Sequence, residues 1–204
     1  MTRCKLNNTT SRNPLPATFW SSEPVFVCPI FRGASPLKYL HAVESTRLHT
    51  RPLRMADTRA LLELYSDPHA MRFRGSGALQ GRDDAIMLVR KAVWEDDLIQ
   101  HKRIALTLRC GELAGTLLLK TGKLTPRSCE VGFSFGPKFW GKGLATETLA
   151  MVEHHLRTTT DVQTVTAWCV KANVASVKVF SNAGFAVHEQ DTNPGSLLLT
   201  KDLH

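Results

Sequence analysis

Residues 135–150, FGPKFWGKGLATETLA, set Gly141 and Gly143 around Lys142, between a strand-like run and a helix-like run. Glycine tolerates positive φ and has no Cβ to hold a ligand away from the backbone. The first N–H groups of a helix lack internal partners, and the helix dipole favours an anion beside them. Strand, glycine turn and helix N-terminus in that order therefore suit a phosphate group. Two nucleotide fingerprints do not fit. No G-x-x-x-x-G-K-[ST] is present, and GKGLAT lacks the third glycine of G-x-G-x-x-G.

Period changes along the chain supply the elements that must position this loop. STRLHTRPLR reads as a strand that ends where Pro52 removes a ladder donor. MADTRALLELYSDP reads as a helix capped by Asp57, with Leu61, Leu62 and Tyr65 at helical spacing. GRDDAIMLVRKAVWEDD is a second helix, with Ile86, Val89, Val93 and Trp94 expected on its inner side. IALTLR, AGTLLLK and SCEVGFSF are strands joined by short turns, which makes them antiparallel neighbours. Ala145, Leu149, Val152 and Leu156 mark a helix after the loop. TVTAWCV is a strand, NVASVKVFSNAGF a helix capped by Asn173 and stopped by Gly184, and SLLLTKDL a last strand. A mixed α/β sheet, mostly antiparallel and flanked by helices, is expected, and its turning point falls at the glycine loop, where ligands of open sheets gather.

In the strand before the loop, Cys129, Val131, Phe133 and Phe135 share one face, and Glu130, Gly132 and Ser134 share the other. The 204 residues suffice for one domain with a real core, here 43–204. Residues 1–42 are rich in Pro, Asn, Thr and Ser without periodicity, and are expected to form an irregular extension. The net charge of +8 suits an anionic ligand, an acidic partner or nucleic acid without choosing among them. No zinc-finger, RNP or helix-turn-helix pattern accompanies it, so nucleic acid is not the expected partner. Five scattered cysteines without C-x-x-C suggest a reducing, cytoplasmic setting rather than a disulfide framework. No metal motif is present, and no apolar run approaches the ~20 residues that span a bilayer.

KFWGKG followed by LATE resembles the [Q/R]-x-x-G-x-[G/A] loop of the GNAT (Gcn5-related) N-acetyltransferases, and FWGKGLATETL resembles the RimJ/RimL-like branch. NVASVKVFSNAGF, CEVGFSFGPKFW and the order of elements resemble that branch as well, over residues 45–203. The resemblance implies a GNAT fold, acetyl-CoA as co-substrate, no metal, and transfer of an acetyl group to an amine, either a protein N-terminus or a small molecule. It implies a pyrophosphate cradle in the backbone of Phe139, Trp140, Gly141, Lys142, Gly143, Leu144 and Ala145, with Lys138 or Lys142 adding charge. Phe133, Ser134 and Phe135 would pair with the pantetheine amides through their strand edge, and Asn173 would bind the same arm in addition to capping its helix. Glu130 is the candidate base. Phe180 stands where many relatives carry an acidic tyrosine, so Ser176 is the candidate proton donor. Arg72, Arg74 and Trp94 fall in the stretches expected to wall the acceptor site, the arginines suiting a carboxylate or acidic peptide. Cys169 alternates with apolar neighbours and reads as core rather than as an acetyl carrier. A catalytically weak CoA-binding module and a basic ribosome- or RNA-associated factor are the alternative readings, and either a monomer or a homodimer fits.

Overall fold

The computed structural model describes residues 42–96, 101–189 and 195–203. The expected extension lies, apart from residue 42, outside the described residues. The elements run β1 (Leu48–Pro52), α1 (Thr58–Ser66), α2 (Pro68–Met71), α3 (Arg82–Asp96), β2 (His101–Leu108), β3 (Leu113–Thr121), β4 (Ser128–Phe135), α4 (Leu144–Thr159), β5 (Thr164–Val170), α5 (Val174–Asn182), β6 (Ala186–Glu189) and β7 (Ser196–Asp202). They build one seven-stranded sheet in the order β1-β2-β3-β4-β5-β7-β6. Every neighbouring pair is antiparallel except β4 and β5. The expected mixed, mostly antiparallel sheet flanked by helices is what forms.

Side-chain alternation assigns the two faces. Ala105 joins Leu61, Leu64, Tyr65, Val89 and Ala92 in one apolar cluster, so α1 and α3 cover that side. On the opposite side Phe133 stacks on Phe180 of α5, with centroids 5.5 Å apart. The α4 stripe of Leu149, Val152 and Leu156 is buried as its spacing predicts.

Three expectations need correction. The inner stripe of α3 is Ala85, Val89 and Ala92, while Val93 and Trp94 point outward, Trp94 being 77% exposed. Alanines let that helix approach its neighbours closely, and a stripe drawn from the bulkier residues misses that phase. Asp57 occupies the N-cap position of α1 but makes no side-chain cap bond. Its carboxylate instead receives two hydrogen bonds from Arg51, at 2.8 and 2.7 Å, and one from the Arg54 N–H at 2.8 Å. Burial pushes this carboxyl up, but the Arg51 and Arg54 bonds and charges outweigh it and hold it below the usual range. The short α2 and β6 were not expected. β6 is only four residues long and lies at the sheet edge, beyond β7.

Among the described glycines, Gly115 of β3 has the tightest surroundings. A Cβ there would lie 2.1 Å from the Ser134 carbonyl oxygen of β4. Gly115→Ala is expected to push the two central strands apart and to cost about 3 kcal/mol in a denaturant titration. A loss below ~1 kcal/mol would mean that the strands yield at this point.

Candidate active site

β4 and β5 pair only through Ser128, Cys129 and Glu130 against Thr164, Val165 and Thr166. Beyond Glu130 the two parallel strands part, leaving the facing edges open over Val131 to Phe135 and Ala167 to Cys169, while the Val170 carbonyl accepts from Asn173 N–H at 2.8 Å. Gly136 N–H donates to the Ala114 carbonyl, and the Ser134 carbonyl also lies against β3. Backbone groups alternate along a strand, so the N–H and C=O of Phe133 and Phe135 point the other way, into the gap. The Trp140 indole already donates to the Phe135 carbonyl at 2.6 Å. The N–H of Phe135 and both groups of Phe133 are left to serve a ligand.

The glycine loop closes one end of this gap. Gly141 has φ +69° and Gly143 φ +73°, both left-handed. Gly143 is the N-cap of the 16-residue α4, so the first-turn amides of that helix open at the same place. A Cβ at Gly141 would meet nothing within 4 Å, so a rare φ and free space, not crowding within the chain, account for glycine there. A cradle of that kind fits a bound anion.

One cavity of about 600 Å³ joins the gap to the loop. Its lining brings together most of the expected residues: Phe133, Ser134, Phe135, Phe139, Trp140, Gly141, Lys142, Gly143, Leu144, Ala145, Asn173, Ser176, Arg72 and Arg74. Asn173 Oδ1 accepts from Ser176 N–H at 3.3 Å, so the cap is real and the amide NH2 remains for a ligand. Ser176 is half-buried one turn into α5.

Three expected residues are not in the lining. Lys138 turns outward to Glu112, Nζ to Oε1 2.6 Å. Trp94 stands exposed on α3. Glu130 lies on the face covered by α1 and α3, where it faces Lys120 across the ladder and pairs with it at 2.8 Å.

Other side chains at the site were not anticipated. Tyr65 lines the cavity although it is buried, its hydroxyl bonded to Thr116 Oγ1. Arg74 lies over its ring, 4.3 Å from the centroid, and donates to Ser134 Oγ at 3.0 Å. Burial pushes the Tyr65 phenol up, but the charges of Arg74 and Arg103 and the Thr116 hydrogen bond outweigh it, and the phenol sits below its usual range. Helical spacing marks Tyr65 only as core, because nothing local to it reports the arginines.

Glu147, one turn into α4, is buried. It accepts from Ser45 Oγ at 2.7 Å, Arg47 N–H at 2.8 Å and Arg47 Nε at 2.6 Å. The same guanidinium donates to the Lys142 carbonyl at 2.7 Å. The Lys142 C=O and Gly143 N–H belong to one trans peptide, so this bond turns the Gly143 amide away from Arg47. Cys169 also lines the cavity, and burial pushes its thiol up to about 11, so it holds its proton at neutral pH.

Residues 47–186 match the family model of the acetyltransferase (GNAT) domain. The chain belongs to the GNAT acetyltransferase family. Solved structures of the same fold include the GNAT acetyltransferase from Bacillus anthracis, 19% identical, with a TM-score of 0.70 over 79% of this chain and 98% of that one. Spermidine N-acetyltransferase from Vibrio cholerae, solved with CoA and spermine, is 18% identical, with a TM-score of 0.64 over 78% and 97%. Mycobacterium smegmatis RimJ, solved with CoA-disulfide, is 21% identical, with a TM-score of 0.65 over 76% and 81%. A sequence comparison with curated proteins finds no match. This GNAT domain is an N-acetyltransferase fold whose open strand edge and helix-borne glycine loop face one cavity. Among the described residues no helix is long and apolar enough to cross a membrane, and no cluster of His, Cys, Asp and Glu could hold a metal ion.

Proposed function

We propose that this protein transfers the acetyl group of acetyl-CoA to a primary amine, an N-terminal α-amine or that of a small molecule, by direct attack. The observation that carries this reading is the parting of β4 from β5 beside a positive-φ glycine loop, within one cavity. Acetyl-CoA supplies an activated acyl thioester. The amides around Gly141, Gly143 and Leu144 would hold its pyrophosphate, Lys142 adding charge. Phe133 and the Phe135 N–H would pair with the pantetheine amides, and Asn173 would bind the arm from α5.

The amine nitrogen attacks the acetyl carbonyl carbon, the C–S bond breaks, and the sulfur leaves with the bonding pair. Ser176 is the side chain from which that sulfur would receive a proton. The attacking nitrogen must also lose a proton as the C–N bond forms, and solvent water would take it. Glu130 is the weaker choice as acceptor, because it is ion-paired with Lys120 outside the cavity lining. Cations beside an ammonium lower its pKa, so Arg72 and Arg74 would favour the neutral amine before attack. An α-amine, ordinarily near ~8, needs less help than a lysine near ~10.

The test is amine-dependent thiol release from acetyl-CoA. Release no faster than hydrolysis with every amine, alongside intact CoA binding, would leave a CoA-binding module. Glu130→Gln is expected to keep turnover within about threefold across pH 6–9, because the group lies outside the cavity; a loss of 10²-fold or more would restore it as the base.

A further inference from the structure

The described residues that line the cavity include His69, Arg72, Arg74, Lys142 and Lys178, and neither an aspartate nor a glutamate. Lys142 belongs to the pyrophosphate loop, and Lys178 lies on α5. His69, Arg72 and Arg74 belong to α2 and the residues just after it. Arg72 and Arg74 add positive charge to the cavity beyond that of the loop's own Lys142. None of the salt bridges found among the described residues uses Arg72 or Arg74.

Arg74 is the best placed of them. Tyr65 supports its flat side and Ser134 takes one of its hydrogen bonds. Guanidinium presents five donors in a rigid fork, so most of the fork is still available to a ligand. Ser134 sits between Phe133 and Phe135, the segment whose free edge faces the gap. A carboxylate held on Arg74 would therefore bring a neighbouring amine to the strand that orients the thioester. Arg103 donates to the Tyr65 hydroxyl at 3.4 Å and adds a second positive charge beside it.

Resting on the transferase reading above, we infer that the acceptor carries a carboxylate close to its amine, and that polyamines are rejected. A polyamine would enter a cationic cavity with no counter-charge in the described lining, and like charges disfavour it. An amine with an adjacent carboxylate meets a partner already aligned for it. The carboxylate can be an acidic side chain near a peptide N-terminus or the α-carboxylate of a free amino acid.

The experiment measures thiol release from acetyl-CoA with matched acceptors. Peptides beginning Ser-Asp, Ser-Asn and Ser-Lys test the side-chain source, serine against serinamide tests the α-carboxylate source, and spermidine tests exclusion. The carboxylate-bearing member of at least one pair is expected to exceed its neutral counterpart by about tenfold or more in kcat/KM, with spermidine at background. Arg74→Ala should collapse that ratio to within about threefold while leaving CoA affinity unchanged by calorimetry. Because Arg74 also covers Tyr65, Arg72→Gln is the second variant and should lower the same ratio. Turnover without charge discrimination, or preferred acetylation of spermidine, overturns the inference and leaves the transferase standing. No turnover with any acceptor overturns both.

Discussion

Gly141→Val is expected to lower the affinity for CoA by at least about 100-fold, while the melting temperature of the free protein falls by only a few degrees. The residue sits at φ +69°, a region that a β-branched side chain almost never enters. Valine must either hold that conformation at a cost of roughly 1–3 kcal/mol or turn the neighbouring peptides out of the cradle. In the first case its methyl groups occupy the space into which an anion would settle; in the second, the donors point elsewhere. The free fold survives, because a Cβ at this position meets nothing within 4 Å. Gly111→Val is the control. Gly111 has φ +86° and equally open surroundings, but lies in the β2–β3 turn outside the cavity lining. It should show the same small loss of stability with CoA binding intact. Undiminished affinity in Gly141→Val, measured by calorimetry, would refute the loop assignment.

Glu147→Ala acts on the same loop from behind. The carboxylate takes three hydrogen bonds from Ser45 and Arg47, and Arg47 in turn holds the Lys142 carbonyl. Glu147 is buried and Arg47 partly exposed, so removing the carboxylate leaves a guanidinium only partly without its match, and a loss of about 2 kcal/mol in a denaturant titration is expected. CoA affinity should fall as well, by roughly tenfold, because the peptide that carries the Gly143 amide is no longer tethered. Arg47→Ala should reproduce both effects, and the double variant should cost much less than their sum. Additive losses, or full CoA affinity in the two single variants, would show that the pair does not position the loop.

Most of the fold was legible because it rests on short-range regularities. Period-2 runs, the Leu149–Val152–Leu156 stripe, Asn173 as a cap and Gly184 as a stop each report a conformation within a few residues. Where sequence and structure differ, the deciding partner lies on another element or is small. Asp57 looks like a cap until Arg51 is seen to take its carboxylate. The inner face of α3 is set by Ala85 and Ala92, which a search for bulky residues passes over. β6 is four residues whose only sheet partner among the described residues is β7.

The same division runs through the site. Gly141 and Gly143 around Lys142, before an amphipathic helix, are a local pattern, and the chain by itself determined that its backbone there turns left-handed into a helix N-terminus. The chain also determined that Phe180, which has no hydroxyl, cannot donate a proton. Only the tertiary structure decided which side chains face that place. Glu130 and Ser134 share one strand face, yet Lys120 claims the first, while Arg74, 60 residues before Ser134, bonds the second. Arg47 and Glu147 are 100 residues apart and meet because β1 and α4 pack together. Local spacing sets backbone conformation within a turn or two, whereas the charge inside a cavity is set by whichever side chains the packed sheet and helices bring to it.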